Sequence, residues 1–201
     1  MSLESIAKYL ENHQLTNELI GRTNREERLI LTGASHTAKA LIATSLAKKE
    51  SKKLLVIVPT LEDATRWFPL VEDCGWRKTC LYPTSEVSPY DSIQVTSEIT
   101  WGQLQVLSDI LALKDEENIA IIATERSLQP HLPPFEYLKS KCININVGDE
   151  INLSELSLRL IECGYKKSSN IDQEGTWTRR GDIVDIYPVS SELPIRLELF
   201  G

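Results

Sequence analysis

The chain has 201 residues, 41% of them apolar and 25% charged, with nine Gly and nine Pro, which is enough for one good core plus a smaller unit and excludes disordered or fibrous architectures. Its formal net charge is -7, spread as 14 basic against 19 acidic residues over 1–137 and 8 against 10 over 138–201. A nucleic-acid binder neutralises phosphates with clustered Lys and Arg, so neither segment reads as a direct DNA-binding surface.

The first residues mix Glu4, Lys8 and Glu11 into their apolar positions and lack the order of a secretory signal. No apolar run approaches the ~20 residues that cross a bilayer. A cytoplasmic protein without a membrane association is expected. Cys74, Cys80, Cys142 and Cys163 show no paired short spacing and lie far from His13, His36 and His131, so reduced, packed thiols are expected and no metal site.

Strand-like and helical patterns alternate over the first segment, the order of a parallel sheet covered by helices. Residues 28–31, 53–58, 79–82 and 119–123 read as strands. Between the first two, Ala38, Leu41, Ile42, Ser45 and Leu46 recur at helical spacing behind a Ser35 cap, which predicts a helix over 35–49 and one βαβ unit. A second helix should follow Thr60. A third carries Leu104, Leu107, Ile110 and Leu111 on one face, with Thr100 and Gln103 spaced as a capping box. Pro130, Pro133 and Pro134 interrupt the pattern and place a boundary at 137/138.

The second segment reads as α+β. A β-like stretch over 141–147 precedes a helix capped by Asn152, with Glu155 completing a capping box, Leu153, Leu156, Leu160 and Ile161 as its buried stripe, and Gly164 as its stop. Strands then follow at 176–180, 183–187 and 195–200. The chain stops at Gly201 in mid-motif, and a fragment of a longer protein is expected.

Chemistry has few seats here. Gly33 and Lys39 have the spacing of G-x-x-x-x-G-K-[ST], but Ala38 stands where the second Gly lets backbone N–H groups wrap a phosphate, and Ala40 replaces the magnesium-binding hydroxyl. Spacing alone leaves two readings, a chance pair or a decayed phosphate loop. No acidic residue ends a strand as a magnesium partner would. No nucleophile–base grouping appears, and Trp67 and Trp76 read as packing rather than a stacking platform. On a strand over 195–200, Ile195, Leu197 and Leu199 share the core face, while Arg196, Glu198 and Phe200 share the other. Arg and aromatics dominate interface energetics, so that open face is either a protein anchor or a solvated face with an ordinary cross-strand ion pair. At least one of Arg179 and Arg180 extends it. Arg180-Gly181-Asp182 spells an adhesion tripeptide, which three residues match too easily to carry weight.

Two stretches carry a resemblance. Arg180 to Pro188, RGDIVDIYP, and Glu192 to Gly201, ELPIRLELFG, resemble the second domain shared by the excinuclease subunit UvrB and bacterial transcription-repair coupling factors. Upstream, Leu31-Thr32-Gly33-Ala34, Leu81-Tyr82-Pro83 and Pro89-Tyr90-Asp91-Ser92 are more similar to the coupling factors. The resemblance implies a degenerate RecA-like, P-loop-type α/β domain over 1–137 and an incomplete UvrA-binding α+β domain over 138–201. Gly33 and Lys39 then become a vestigial phosphate loop, with no catalytic residue, metal or cofactor in this segment. Ala38, Ala40 and the short stretch from Tyr82 to Ser97, too small for a strand-separating hairpin, depart from UvrB.

Arg180, Arg196, Glu198 and Phe200 would contact UvrA. The longer protein implied would reach RNA polymerase and double-stranded DNA, and bind ATP and magnesium, through regions outside this chain. Absent sequence would complete the first sheet. The alternative is a fragment of an active UvrB-type ATP-dependent helicase.

Overall fold

A computed structural model of the chain describes residues 2–25, 28–84, 97–113, 118–129 and 132–200. It divides into two compact units, one of residues 1–91 and 113–130 and the other of 92–112 and 131–201. Pro89 to Ser92, Glu116, Glu117, Pro130 and the middle of the stretch from Tyr82 to Ser97 lie outside the described residues.

In the first unit, helices α1 (Leu3–Glu11) and α2 (Gln14–Thr23) precede α3 (His36–Lys49), strand β1 (Leu54–Val58), α4 (Leu61–Glu72), β2 (Lys78–Tyr82) and β3 (Ile119–Thr124). The strands form a parallel sheet in the order β1-β3-β2, and β1-α4-β2 is its crossover unit. β3 lies at the centre, with Ile119, Ala120, Ile122 and Ala123 buried, as a strand covered on both faces requires. Helices α3 and α4 supply Ala40, Leu41, Ala64 and Val71 to the core, which also takes in Ala7, Val58, Cys74 and Trp76.

Several polar groups inside this core are paired, while Thr79 Oγ1 on β2 is buried without a hydrogen-bond partner among the described residues. Trp76 Nε1 donates to Thr44 Oγ1 at 3.1 Å and Ser45 Oγ to the Leu41 carbonyl at 2.7 Å. Both α3 and α4 start on side-chain caps, Ser35 Oγ accepting from Ala38 N and Thr60 Oγ1 from Asp63 N, each satisfying an orphan donor of the first turn.

Residues 28–31 correct the sequence reading. They form no strand, and Ile30 is 77% exposed. A short apolar run becomes a strand only with a ladder partner, and the sheet order leaves this run outside it.

The second unit begins with α5 (Ser97–Ala112), which starts before Thr100 and so places the expected capping box inside the helix. Helix α6 (Phe135–Lys141) follows directly on Pro134. Residues 142–147 are not a strand, although Ile143 and Ile145 pack on the core. Helix α7 (Leu153–Glu162) begins at Asn152, whose side chain accepts from Ser154 N and Glu155 N at 3.0 and 3.2 Å. A mixed sheet in the order β4-β5-β6-β7 completes the unit, from β4 (Lys166–Lys167), β5 (Thr176–Arg180), β6 (Ile183–Tyr187) and β7 (Ile195–Glu198). Its core is Leu156 and Leu160 of α7 against Trp177, Val184 and Ile186. Ile161, expected in the buried stripe, is 58% exposed, because Leu153, Leu156 and Leu160 alone face the sheet.

Candidate docking face

The hairpin β5–β6 is joined by the two-residue turn Gly181–Asp182, which sets Arg180 opposite Ile183 and Thr178 opposite Asp185. Strand β7 adds Glu198 opposite Ile183 and Arg196 opposite Asp185. Residues directly opposite each other share a face. Two rows, Arg180-Ile183-Glu198 and Thr178-Asp185-Arg196, therefore lie side by side on one face of the sheet. Alternate positions, Trp177, Val184 and Ile186, are buried on the other face, and Leu197 packs there in part.

This register sets Arg180 on the same face as Arg196 and Glu198, the two that strand parity grouped, while Arg180 came from the resemblance. It turns Arg179 to the opposite parity, where its Nε donates to the Gly181 carbonyl at 3.0 Å. Phe200 follows the end of β7 and is 90% exposed. The ladder runs on past Glu198 through Leu199 N donating to the Asp182 carbonyl at 3.0 Å.

Sequence reasoning missed Asp185. Arg196 Nε and Nη2 donate to its two carboxylate oxygens at 2.6 and 3.1 Å, a bidentate charge-assisted pair. The Arg196 side chain is 58% exposed and that of Asp185 only 17%. The hydrogen bond from Arg196 holds the Asp185 carboxyl below its ordinary value of 3.8, with burial opposing and the charges of Arg196 and Arg180 assisting. Asp185 raises the Arg196 guanidinium in return. Parity along a single strand cannot show this pair. The turn Arg180-x-x-Ile183 was the signal that aligns Asp185 with Thr178, on the same face.

The loop at Gly33 is built differently from a phosphate cradle. No strand leads into it, α3 starts at His36, and Lys39 lies in that helix's first turn. Ser35 Oγ takes the Ala38 N–H and the Ser35 carbonyl takes the Lys39 N–H. Ala40 is fully buried in the core. The His36 ring lies against Trp67, centroids 5.5 Å apart.

Among the described residues, no group of three His, Cys, Asp or Glu side chains is placed to hold a metal ion, and no helix is long and apolar enough to cross a membrane.

Comparison with known proteins finds relatives of the chain. Residues 143–201 match the family model of the UvrB interaction domain. The chain is 32% identical over 175 residues to the transcription-repair-coupling factor of Bacillus subtilis, covering 85% of this chain and 14% of that protein. It is 28% identical to the corresponding factor of Staphylococcus haemolyticus, over 97% of this chain and 16% of the relative. Against that of Haemophilus influenzae it is 26% identical, over 89% and 15%. The chain thus spans about a seventh of the length of these relatives.

Proposed function

Because this chain belongs to the transcription-repair-coupling factors as a UvrB-like region, we propose that it is a non-catalytic docking module. It imitates UvrB and recruits UvrA to RNA polymerase stalled at damaged DNA, within transcription-coupled nucleotide excision repair. Residues 138–201 make the contact, through Arg180, Arg196, Glu198 and Phe200. The observation that carries the reading is the shared open face of Arg180, Arg196 and Glu198, ending in an exposed Phe200, inside the segment that matches a UvrB interaction domain. A bidentate Arg–Asp pair and, four residues further along, an exposed ring have the residue types of an interface hot spot.

Nucleotide chemistry belongs elsewhere in the longer protein. In this segment the N–H groups of Ala38 and Lys39 are taken by Ser35, and position 40 faces the core. ATP, magnesium, RNA polymerase and double-stranded DNA are met by other regions, and the work is done in the cytoplasm. As an edge strand, β1 offers further sequence its outer backbone for completing the first sheet.

The test is titration of the fluorescently labelled chain with purified UvrA, beside the double variant Arg196→Ala/Phe200→Ala. Binding by the parent and its loss in the variant, with melting temperature unchanged, is the expected result. A folded parent that does not bind UvrA refutes recruitment. Equal binding by both moves the contact off this face.

A further inference from the structure

The fork between Arg196 and Asp185 is side-on. It uses the N–H of Nε and one N–H of Nη2, and a guanidinium has five N–H donors in one plane. The end-on edge, formed by Nη1 and the outer N–H of Nη2, points away from Asp185. That edge has the geometry for a second bidentate acceptor, and among the described residues no hydrogen bond from it to a carboxylate is formed. Asp185 itself is the more enclosed member of the pair and sits on β6, the inner strand of the three. It lies between Thr178 and Arg196 in its row, with the charge of Arg180 also acting on it.

A long flexible side chain loses rotamer freedom when a partner immobilises it, and one that is already fixed loses less. A lone surface ion pair does little for stability. Orienting Arg196 is the role left for so well-formed a fork.

Resting on the docking function proposed above, we infer that Asp185 is a positioning residue. It does not touch the partner; it holds Arg196 so that the end-on edge of the guanidinium donates to an Asp or Glu carboxylate of the docking protein. The alternatives, a carboxylate that contacts the partner directly or one that only steadies the sheet, differ in how Asp185 depends on Arg196.

A double-mutant cycle separates them. The 201-residue chain, Asp185→Asn, Arg196→Ala and the combined variant are titrated with UvrA, and their melting temperatures are recorded. Asp185→Asn is expected to weaken binding roughly tenfold, about 1.4 kcal/mol, in the parent and not at all in the Arg196→Ala background. An equal loss in both backgrounds gives Asp185 a role independent of Arg196 and overturns the inference. Unchanged binding by Asp185→Asn does the same while leaving the docking function intact. A folded parent that does not bind removes both.

Arg196→Lys provides a second route should Asp185→Asn not fold. It keeps the charge and loses the planar fork, so its binding is expected to fall close to that of Arg196→Ala. Parent-like binding by Arg196→Lys overturns the inference.

Discussion

Gly175→Ala is the sharpest test of how the second unit packs. Gly175 has φ +74, and its backbone is tied on both sides, N–H to the Tyr187 carbonyl at 2.8 Å and carbonyl to Lys166 N at 2.8 Å. A Cβ there would come within 2.8 Å of Trp101 Cη2 on α5, and closer still to Cζ2. The left-handed conformation costs a residue with a Cβ roughly 1–2 kcal/mol. Forcing a methyl into a filled site adds roughly 1–3 kcal/mol. The total expected is about 2–5 kcal/mol.

Gly75 is the internal control. It has φ +77, and the three atoms nearest its added Cβ all belong to the Glu4 side chain, which is half exposed and paired with Lys8 but gives way more easily than a packed ring. Gly75→Ala should therefore cost only the conformational part, roughly 1–2 kcal/mol. Urea unfolding followed by tryptophan fluorescence measures both. Adding Trp101→Ala to Gly175→Ala should recover the steric part, a coupling of roughly 1–3 kcal/mol. Equal costs at the two glycines, or no coupling to Trp101, would falsify the docking of α5 against β5.

Asn152→Ala removes the acceptor for two N–H groups of α7 and should destabilise the second unit by about 1 kcal/mol in the same unfolding assay. The Asp185 carboxyl has its folded value depressed, so its contribution is complete above the unfolded value and is lost as pH falls through the folded one. The Arg196 Nε–H resonance should accordingly stay constant from about pH 8 to about pH 5 and move only in acid below the ordinary carboxyl range. A midpoint near neutrality would contradict the fork. ATP with magnesium should leave the melting temperature unchanged, because a bound ligand at a hundred times its Kd stabilises by about 2.7 kcal/mol and would show plainly in a thermal scan.

The sequence made some of this legible and hid the rest for identifiable reasons. β1, β2, β3, α3, α4 and the β5–β6 hairpin follow from apolar period and caps, since Ser35, Thr60 and Asn152 all cap as their side chains allow. Helices α1 and α2 were not read, because charge interspersed among apolar residues served there only to exclude a signal peptide. Pro133 and Pro134 read as breakers, yet a fixed φ also suits the start of a helix, and α6 begins at once after them. The alternation Ile143, Ile145 has a period of two and a real core contact, but without a neighbouring strand it stays irregular. In the site, strand parity grouped Arg196, Glu198 and Phe200. Opposing Asp185 to Arg196 required the register between β6 and β7, which the loop over 188–194 sets and no local rule predicts.

Under the docking function proposed above, that register also explains how one small sheet would serve stability and recognition without conflict. The rows of Trp177 with Ile186 and of Val184 with Leu197 face α7, and Trp177 is 3% exposed. Hydrophobic burial, the main driving force of folding, is thus assigned to one face. The rows Arg180-Ile183-Glu198 and Thr178-Asp185-Arg196 carry one directly opposed charge pair, Asp185 with Arg196, with Arg180 and Glu198 on either side of Ile183 and Thr178 buried at the inner end. Exposed pairs of this kind contribute little to folding, so their identity is free to be set by a partner. Substitutions at Leu156 or Val184 should move the melting temperature first and binding only through unfolding. Those at Arg196 or Phe200 should move binding with the fold intact. A face whose variants shifted both together would instead be part of the core, and the two-sided assignment of β5, β6 and β7 would have to be abandoned.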